Sequence, residues 1–133
     1  NVVGWDSSRL AMLTAVLEAR CGVPLSGRDI FLNVAGGLKI SETAADLAVA
    51  AALISSVTGR SAPSRTVFFG EVALSAELRQ VAQAEARLKE AAKLGFDNAV
   101  LPRPRKKLLA PKGISLAQPA SLSDLINMMD GDL

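Results

Sequence analysis

The sequence predicts a mixed α/β domain in which helices cover a largely parallel or mixed sheet. Three observations predict it. Short apolar runs alternate with segments of helical period along the whole chain, glycines and prolines punctuate their ends, and the segments read in the order β-α-β-α-β-β-α-β-β-α. At 133 residues the chain is long enough to bury one core as a single domain spanning 1–133. It is 50% hydrophobic but only 4% aromatic, so that core must be built from Ala, Leu, Val and Ile.

The first element is an apolar run, "NVVGW", read as a strand; because it begins at Asn1 without Met, the chain is expected to be a piece of a longer protein. Asp6 is a good N-cap for a helix running to about Arg20, with Leu10, Leu13 and Leu17 as its apolar stripe. Gly22 ends it and Pro24 follows. "DIFLNVAGG", 29–37, reads as a strand, and its nearly continuous run of Ile30, Phe31, Leu32 and Val34 implies burial on both faces. The helix expected over 42–58 is apolar nearly all round (Leu47, Val49, Leu53, Ile54, Val57), which places it under or across the sheet.

Residues 65–75 read as one strand, with 77–81 as its hairpin partner. A surface helix over 83–94 follows: Ala84, Leu88, Ala91 and Ala92 form its inner stripe, Glu85 and Lys89 an i, i+4 pair, and Gly95 its stop. "NAVLP" is a further strand ended by Pro102. "RPRKKLLAPKG" then breaks the pattern with five cations, no acid and, counting Pro102, three prolines. "ISLAQ" is a last short strand. Ser121 with Asp124 makes a capping-box-like start for a final helix carrying Leu122, Leu125, Ile126 and Met129.

The composition excludes several chemistries. There is no His and a single Cys21, so the usual zinc ligand sets, a His-based triad and an intramolecular disulfide are all out of reach within this chain. Cys21 reads as a small buried hydrophobe, and this cysteine usage fits a reducing, cytoplasmic setting. No signal peptide appears, and the most apolar segment, 42–59, carries Glu42, Asp46 and late hydroxyls; no membrane association is expected. A net charge of +2 leaves nucleic-acid binding to a local cluster of cations.

"AGGLKIS" has the glycines and lysine of a phosphate loop without the spacing, and reads as a turn. Ser41 stands at the mouth of the central helix with Lys39 two residues before it, the elements of a Ser–Lys pair. The residues themselves favour Ser41 as N-cap and Lys39 as a solvated strand residue. Ser55 and Ser56 are expected to bond backwards to helix carbonyls.

The run from Lys39 to Gly59, together with "FGEVALSAELRQVAQAEARLKEAAKLGFDNAVLP", resembles the proteolytic domain of the Lon family. In that family a strand leads into a Gly-Pro-Ser-Ala-Gly mouth whose Ser is the nucleophile. A helix ending in Thr-Gly follows, matched by Thr58 and Gly59, then a Gly-Glu strand, matched by Gly70 and Glu71, and then a helix whose start carries the catalytic Lys. Ungapped counting puts Ala44 at the nucleophile position, with Thr43 and Ala45 beside it, and Glu85 at the lysine position. The resemblance therefore implies a protease fold with its chemistry removed.

"GWDSSRLAMLTAVLEARCG", "NVAGGLKISETAADLAVAAALISSVTGR" and "VFFGEVALSAELRQVAQAEARLKEAAKLGF" are more specifically similar to the C-terminal Lon-like domain of the bacterial RadA (Sms) family of DNA repair and homologous recombination. That resemblance implies no cofactor in this domain, with ATP and zinc bound by a RecA-like ATPase and a zinc ribbon upstream. It implies a homo-hexameric ring, and DNA and a RecA-type recombinase as partners. In such a ring Lys39 and Arg79, alternating with Leu38, Ile40, Leu78 and Val81, would point outward into the channel. With Arg103, Arg105, Lys106 and Lys107 they are the candidate residues for non-sequence-specific DNA binding. A residual Ser–Lys peptidase and a protein-docking platform are the alternatives.

Overall fold

The computed structural model describes residues 2–37 and 39–130; Asn1, Leu38 and 131–133, with the expectations placed on them, lie outside the described residues. Strand β1 (Val2–Val3) pairs in parallel with β2 (Leu32–Asn33). Between them runs α1 (Ser7–Cys21). Its start is set by Asp6, whose carboxylate accepts the Ser8 N–H at 2.9 Å, and its end by Gly22 at φ 69°. There the Gly22 N–H reaches the Glu18 carbonyl and the Val23 N–H the Leu17 carbonyl, at 3.2 and 3.1 Å.

Helix α2 (Asp46–Thr58) is the centre of the larger core. Leu47, Ala50, Ala51, Leu53 and Ile54 are buried, between α1 on one side and α4 (Leu122–Asp130) on another. Helix α4 starts as the sequence predicts, with the Ser121 hydroxyl accepting the Asp124 N–H at 3.2 Å and the Asp124 carboxylate accepting the Ala120 N–H at 3.0 Å. Strands β3 (Thr66–Phe68), β6 (Asn98–Val100) and β7 (Ser115–Ala117) form a three-stranded parallel sheet in the order β3-β6-β7. Helix α3 (Ala84–Lys93) belongs to the connection from β3 to β6. It closes a second, smaller core of Phe69, Leu88, Ala91, Ala99, Leu101 and Ile114. Strands β4 (Glu71–Val72) and β5 (Leu78–Arg79) make an antiparallel hairpin. Among the described residues no helix is long and apolar enough to cross a membrane.

The α/β class stands, but the single sheet does not: the strands divide into three small ones. The reason lies at Gly70, where the strand expected over 65–75 breaks. The Gly70 N–H donates to the Ala44 carbonyl at 2.9 Å and its own carbonyl accepts the Leu47 N–H at 3.1 Å, so its backbone pairs with the entry to α2. Only glycine fits, since a Cβ there would lie 2.7 Å from Cδ of Pro102. Before Gly70 the chain pairs with β6; after it, with β5. The 29–37 strand shrinks to Leu32–Asn33 and is not buried on both faces: Phe31 is 78% exposed. Its strand partner is the two-residue β1, and Ile30, Leu32 and Val34 are only half-buried, against the larger core. Cys21 is half-buried against the larger core. Ser55 bonds forward, to the Arg60 carbonyl, and the backward bond is made by Thr58 to the Ile54 carbonyl at 2.8 Å.

One polar contact ties the larger core together. Asp46, in the first turn of α2, is fully buried. Arg9 of α1 grips it with two guanidinium nitrogens, Nε at 2.8 Å and Nη2 at shorter range, and the Val72 N–H of β4 donates to it at 3.0 Å. The bond to Asp46 raises the Arg9 pKa above its ordinary value. Removing the arginine would leave a buried carboxylate with a single backbone donor. Arg9→Ala should therefore cost about 3–5 kcal/mol of stability, read from the urea midpoint. Arg9→Lys, which keeps the charge and loses the two-pronged fit, should recover part of it. Wild-type stability in Arg9→Ala would refute this role.

Candidate nucleic-acid interface

The entry to α2 is not built as the sequence suggests. A 3-10 turn, Thr43–Ala45, precedes the helix and moves its start to Asp46, so Ala45 becomes the N-cap and makes no side-chain capping bond. Ser41 is therefore not the cap; it is exposed, and Lys39 is exposed outside any strand. The first-turn N–H of Leu47 is already bonded to Gly70, and Ala44, buried to 4%, gives its carbonyl to the same residue. The helix entry thus presents a methyl group, and the Leu47 N–H is spent on the backbone of Gly70.

Glu85 does not face this entry. It lies in the first turn of α3, half-buried, and its carboxylate accepts the Leu109 N–H at 3.2 Å; the expected pair with Lys89 is not formed. The residue that does reach the entry is Arg87. It forks onto Glu42 at 3.1 and 3.2 Å, and its guanidinium lies 5.9 Å from the centre of the Phe69 ring. Its Nε donates to the Ala82 carbonyl at 3.0 Å. A cavity of about 390 Å³ opens beside the pair, lined by Ala44, Ala45, Ala48 and Phe69 among others, and Glu85 is not part of its wall. Sequence reasoning missed Arg87 because the partner that gives it meaning is 45 residues away.

The predicted cations fall into two settings. Lys39 borders a cleft shared with Trp5, Asp6 and Ser41. Arg79 stands on β5 opposite Glu71, so an acid faces it across the hairpin. The segment from Pro102 to Leu109 is different. Pro102 is buried, and Pro104 and Leu108 are half-buried, while Arg103, Arg105, Lys106 and Lys107 are all exposed. Leu108 packs against the smaller core, and the Gln80 side chain donates to the Arg103 carbonyl at 3.0 Å. The apolar residues thus hold the loop down and turn its four cations outward. Gln80 also joins the loop to the hairpin that carries Arg79. None of the six predicted cations makes an ion pair among the described residues, where Arg9, Arg65 and Arg87 do. Among the described residues no group of three or more His, Cys, Asp or Glu side chains is placed to hold a metal ion.

Residues 7–105 match the family model described as subunit ChlI of Mg-chelatase. The chain is also similar to proteins named DNA repair protein RadA. With that of Brucella abortus it shares 52% identity over 125 residues, 94% of this chain and 27% of that protein. With that of Rickettsia bellii it shares 55% over 100 residues, 75% of this chain and 22% of that protein. With that of Escherichia coli K12 it shares 41% over 128 residues, 96% of this chain and 28% of that protein. The chain spans about a quarter of the length of these relatives.

The Glu42–Arg87 contact has a direct readout. Hydrogen bonding and charge from Arg87 hold the Glu42 carboxyl below its ordinary pKa. NMR titration of the carboxyl carbon should show Glu42 ionising at lower pH than a free glutamate, and Arg87→Met should return it upward. The sign follows from linkage: a depressed carboxylate adds stability above its unfolded pKa, and that part is lost as pH falls through the folded value. Glu42 is largely exposed, so the stability change should be small. An unchanged Glu42 titration in the variant would remove the contact from the solution structure.

Proposed function

Because this chain belongs to the family described as subunit ChlI of Mg-chelatase and is similar over most of its length to proteins named DNA repair protein RadA, we propose that it is a non-catalytic, Lon-like module of DNA repair and recombination that binds DNA through its basic loop. The observation that carries this reading is the exposed run Arg103, Arg105, Lys106 and Lys107, held outward by buried and half-buried apolar neighbours and in no ion pair among the described residues. Cations in that setting neutralise phosphates and release counterions without reading bases. Trp5 and Phe69 are buried and Phe68 and Phe96 half-buried, which leaves Phe31 as the one largely exposed aromatic among the described residues, too few for stacking along a series of bases. Arg79 extends the surface through Gln80, and Lys39 adds a separate cation beside the helix entry. Assembly into a hexameric ring, with the helix entry facing its channel, is the scaffold role that accompanies this reading; ATP and zinc would then be bound outside this chain, and a RecA-type recombinase would be its partner.

The absence of peptidase chemistry in this reading rests on Ala44 and Glu85. The first has no nucleophile, and the second is engaged with the Leu109 backbone. The bond from Leu47 to Gly70 also takes up a donor that an oxyanion would need. Docking of a protein partner is the second reading. It is favoured by Phe31, which stands exposed on a cleft of about 530 Å³ with Val49, Leu53 and Val57 in its wall.

Two measurements test the proposal. The chain should not cleave casein or short peptides, and Ala44→Ser should not confer cleavage; turnover that vanishes in Ser41→Ala would overturn this. DNA affinity should fall with salt by roughly 0.9 log units per log unit of salt for each phosphate neutralised on duplex DNA. Replacing Arg103, Arg105, Lys106 and Lys107 by Ala should weaken binding equally for unrelated sequences and flatten that slope. Parent-like binding by this variant across the salt series would transfer the function to protein docking.

A further inference from the structure

The loop that carries the four cations is fastened at both ends by side chains that bear no positive charge. At its start Pro102 is buried against Gly70, closely enough to exclude a Cβ there, and Gln80 Nε2 donates to the Arg103 carbonyl at 3.0 Å. At its end Leu108 packs on the smaller core and Glu85 Oε1 accepts the Leu109 N–H at 3.2 Å, while the Leu109 side chain itself is 72% exposed. Glu85 sits in the first turn of α3, two residues from the Arg87 that is locked to Glu42, so its own position is fixed by a helix that is pinned to the protein. An acid beside a cationic surface is electrostatically unfavourable for binding a polyanion. What the structure shows this carboxylate doing is bonding the backbone at the end of the loop.

We infer that Glu85, with Gln80 at the other end, is a positioning residue for nucleic-acid binding: it holds the 103–109 loop in one shape so that its cations meet phosphates already ordered. This rests on the basic-loop reading above and adds to it the source of the loop's rigidity. The physical gain is the conformational freedom that the loop has already given up before binding. A loosened loop still carries four cations and can neutralise the same phosphates, so its salt slope stays the same. It has to be ordered at the moment of binding, so its affinity falls.

The sign of the effect makes the inference testable. Glu85→Ala removes a negative charge and, by Coulomb's law alone, should strengthen DNA binding. Positioning predicts the reverse, a loss of about three- to tenfold at an unchanged salt slope. Glu85→Gln keeps an acceptor for the Leu109 N–H and removes the charge, and should bind at least as tightly as the parent. Leu109 amide exchange should speed up in Glu85→Ala but not in Glu85→Gln, with the urea midpoint of both close to the parent's. If Glu85→Ala binds a salt-dependent duplex as tightly as the parent or more so, or Leu109 exchange is unchanged, the positioning role is wrong and the basic loop stands without it. If the parent shows no salt-dependent binding, the basic-loop reading fails and takes this inference with it.

Discussion

The buried carboxylate of Asp46 is the constraint from which the rest of the architecture follows. A charge at zero exposure has to be answered, and here the answers come from two other elements: Arg9 of α1 and the Val72 N–H of β4. This contact fixes where β4 lies against the helix. The strand leaving the parallel sheet at Phe68 must therefore turn towards α2, and Gly70 makes the turn by bonding to Ala44 and Leu47. Once β4 is committed to the helix entry, its strand partner among the described residues is β5, and the hairpin stands apart from the three-stranded sheet. That displacement brings Gln80 over the segment that begins at Pro102.

The same pairing explains how a chain of net charge +2 can have a strong local field. Its acids are spent on specific tasks: Asp46 on Arg9, Glu42 on Arg87, Asp97 on Arg65, Glu18 on the Ser26 N–H and Asp124 on the start of α4. The cations left over are not spread evenly. Four of them fall within five residues of a loop that borders Glu85, whose carboxylate is turned to a backbone N–H. A charge count averaged over the chain hides this, because interactions between exposed charges die away beyond about 8–10 Å in physiological salt.

What was legible in the sequence is what local chemistry decides. Asp6, Gly22, Ser121 and Asp124 mark helix ends because their bonds reach only two to four residues. The inner faces of α1 and α3 follow from spacing alone, and the basic loop is visible as composition. The failures that reshape the fold are long-range. An apolar run at 29–37 looks doubly covered, yet it packs on the larger core through Ile30, Leu32 and Val34 and leaves Phe31 in solvent. Residues 65–75 look like one strand because nothing near Gly70 announces that its backbone belongs to a helix entry some 25 residues earlier. Arg9 and Asp46 lie 37 residues apart, and nothing local to either shows that they pair.

Position 85 shows how far position in a sequence pattern can stand from position in space. Counting from a Gly-Glu pair places Glu85 where the Lon resemblance asks for an amine, and on that count it reads only as a loss. The structure turns it away from Ala44 and towards the Leu109 backbone, on the side of α3 that faces the basic loop. The helix entry meanwhile is occupied by Arg87, a cation that is fully engaged by Glu42 and Phe69. A neutral amine beside a hydroxyl would need both a free nucleophile and an unshared base. At this entry Ala44 carries only a methyl group and Arg87 is committed to Glu42. The polar groups of α3 serve to fix surfaces: Arg87 pins the helix to the entry of α2, and Glu85 pins the loop to the helix.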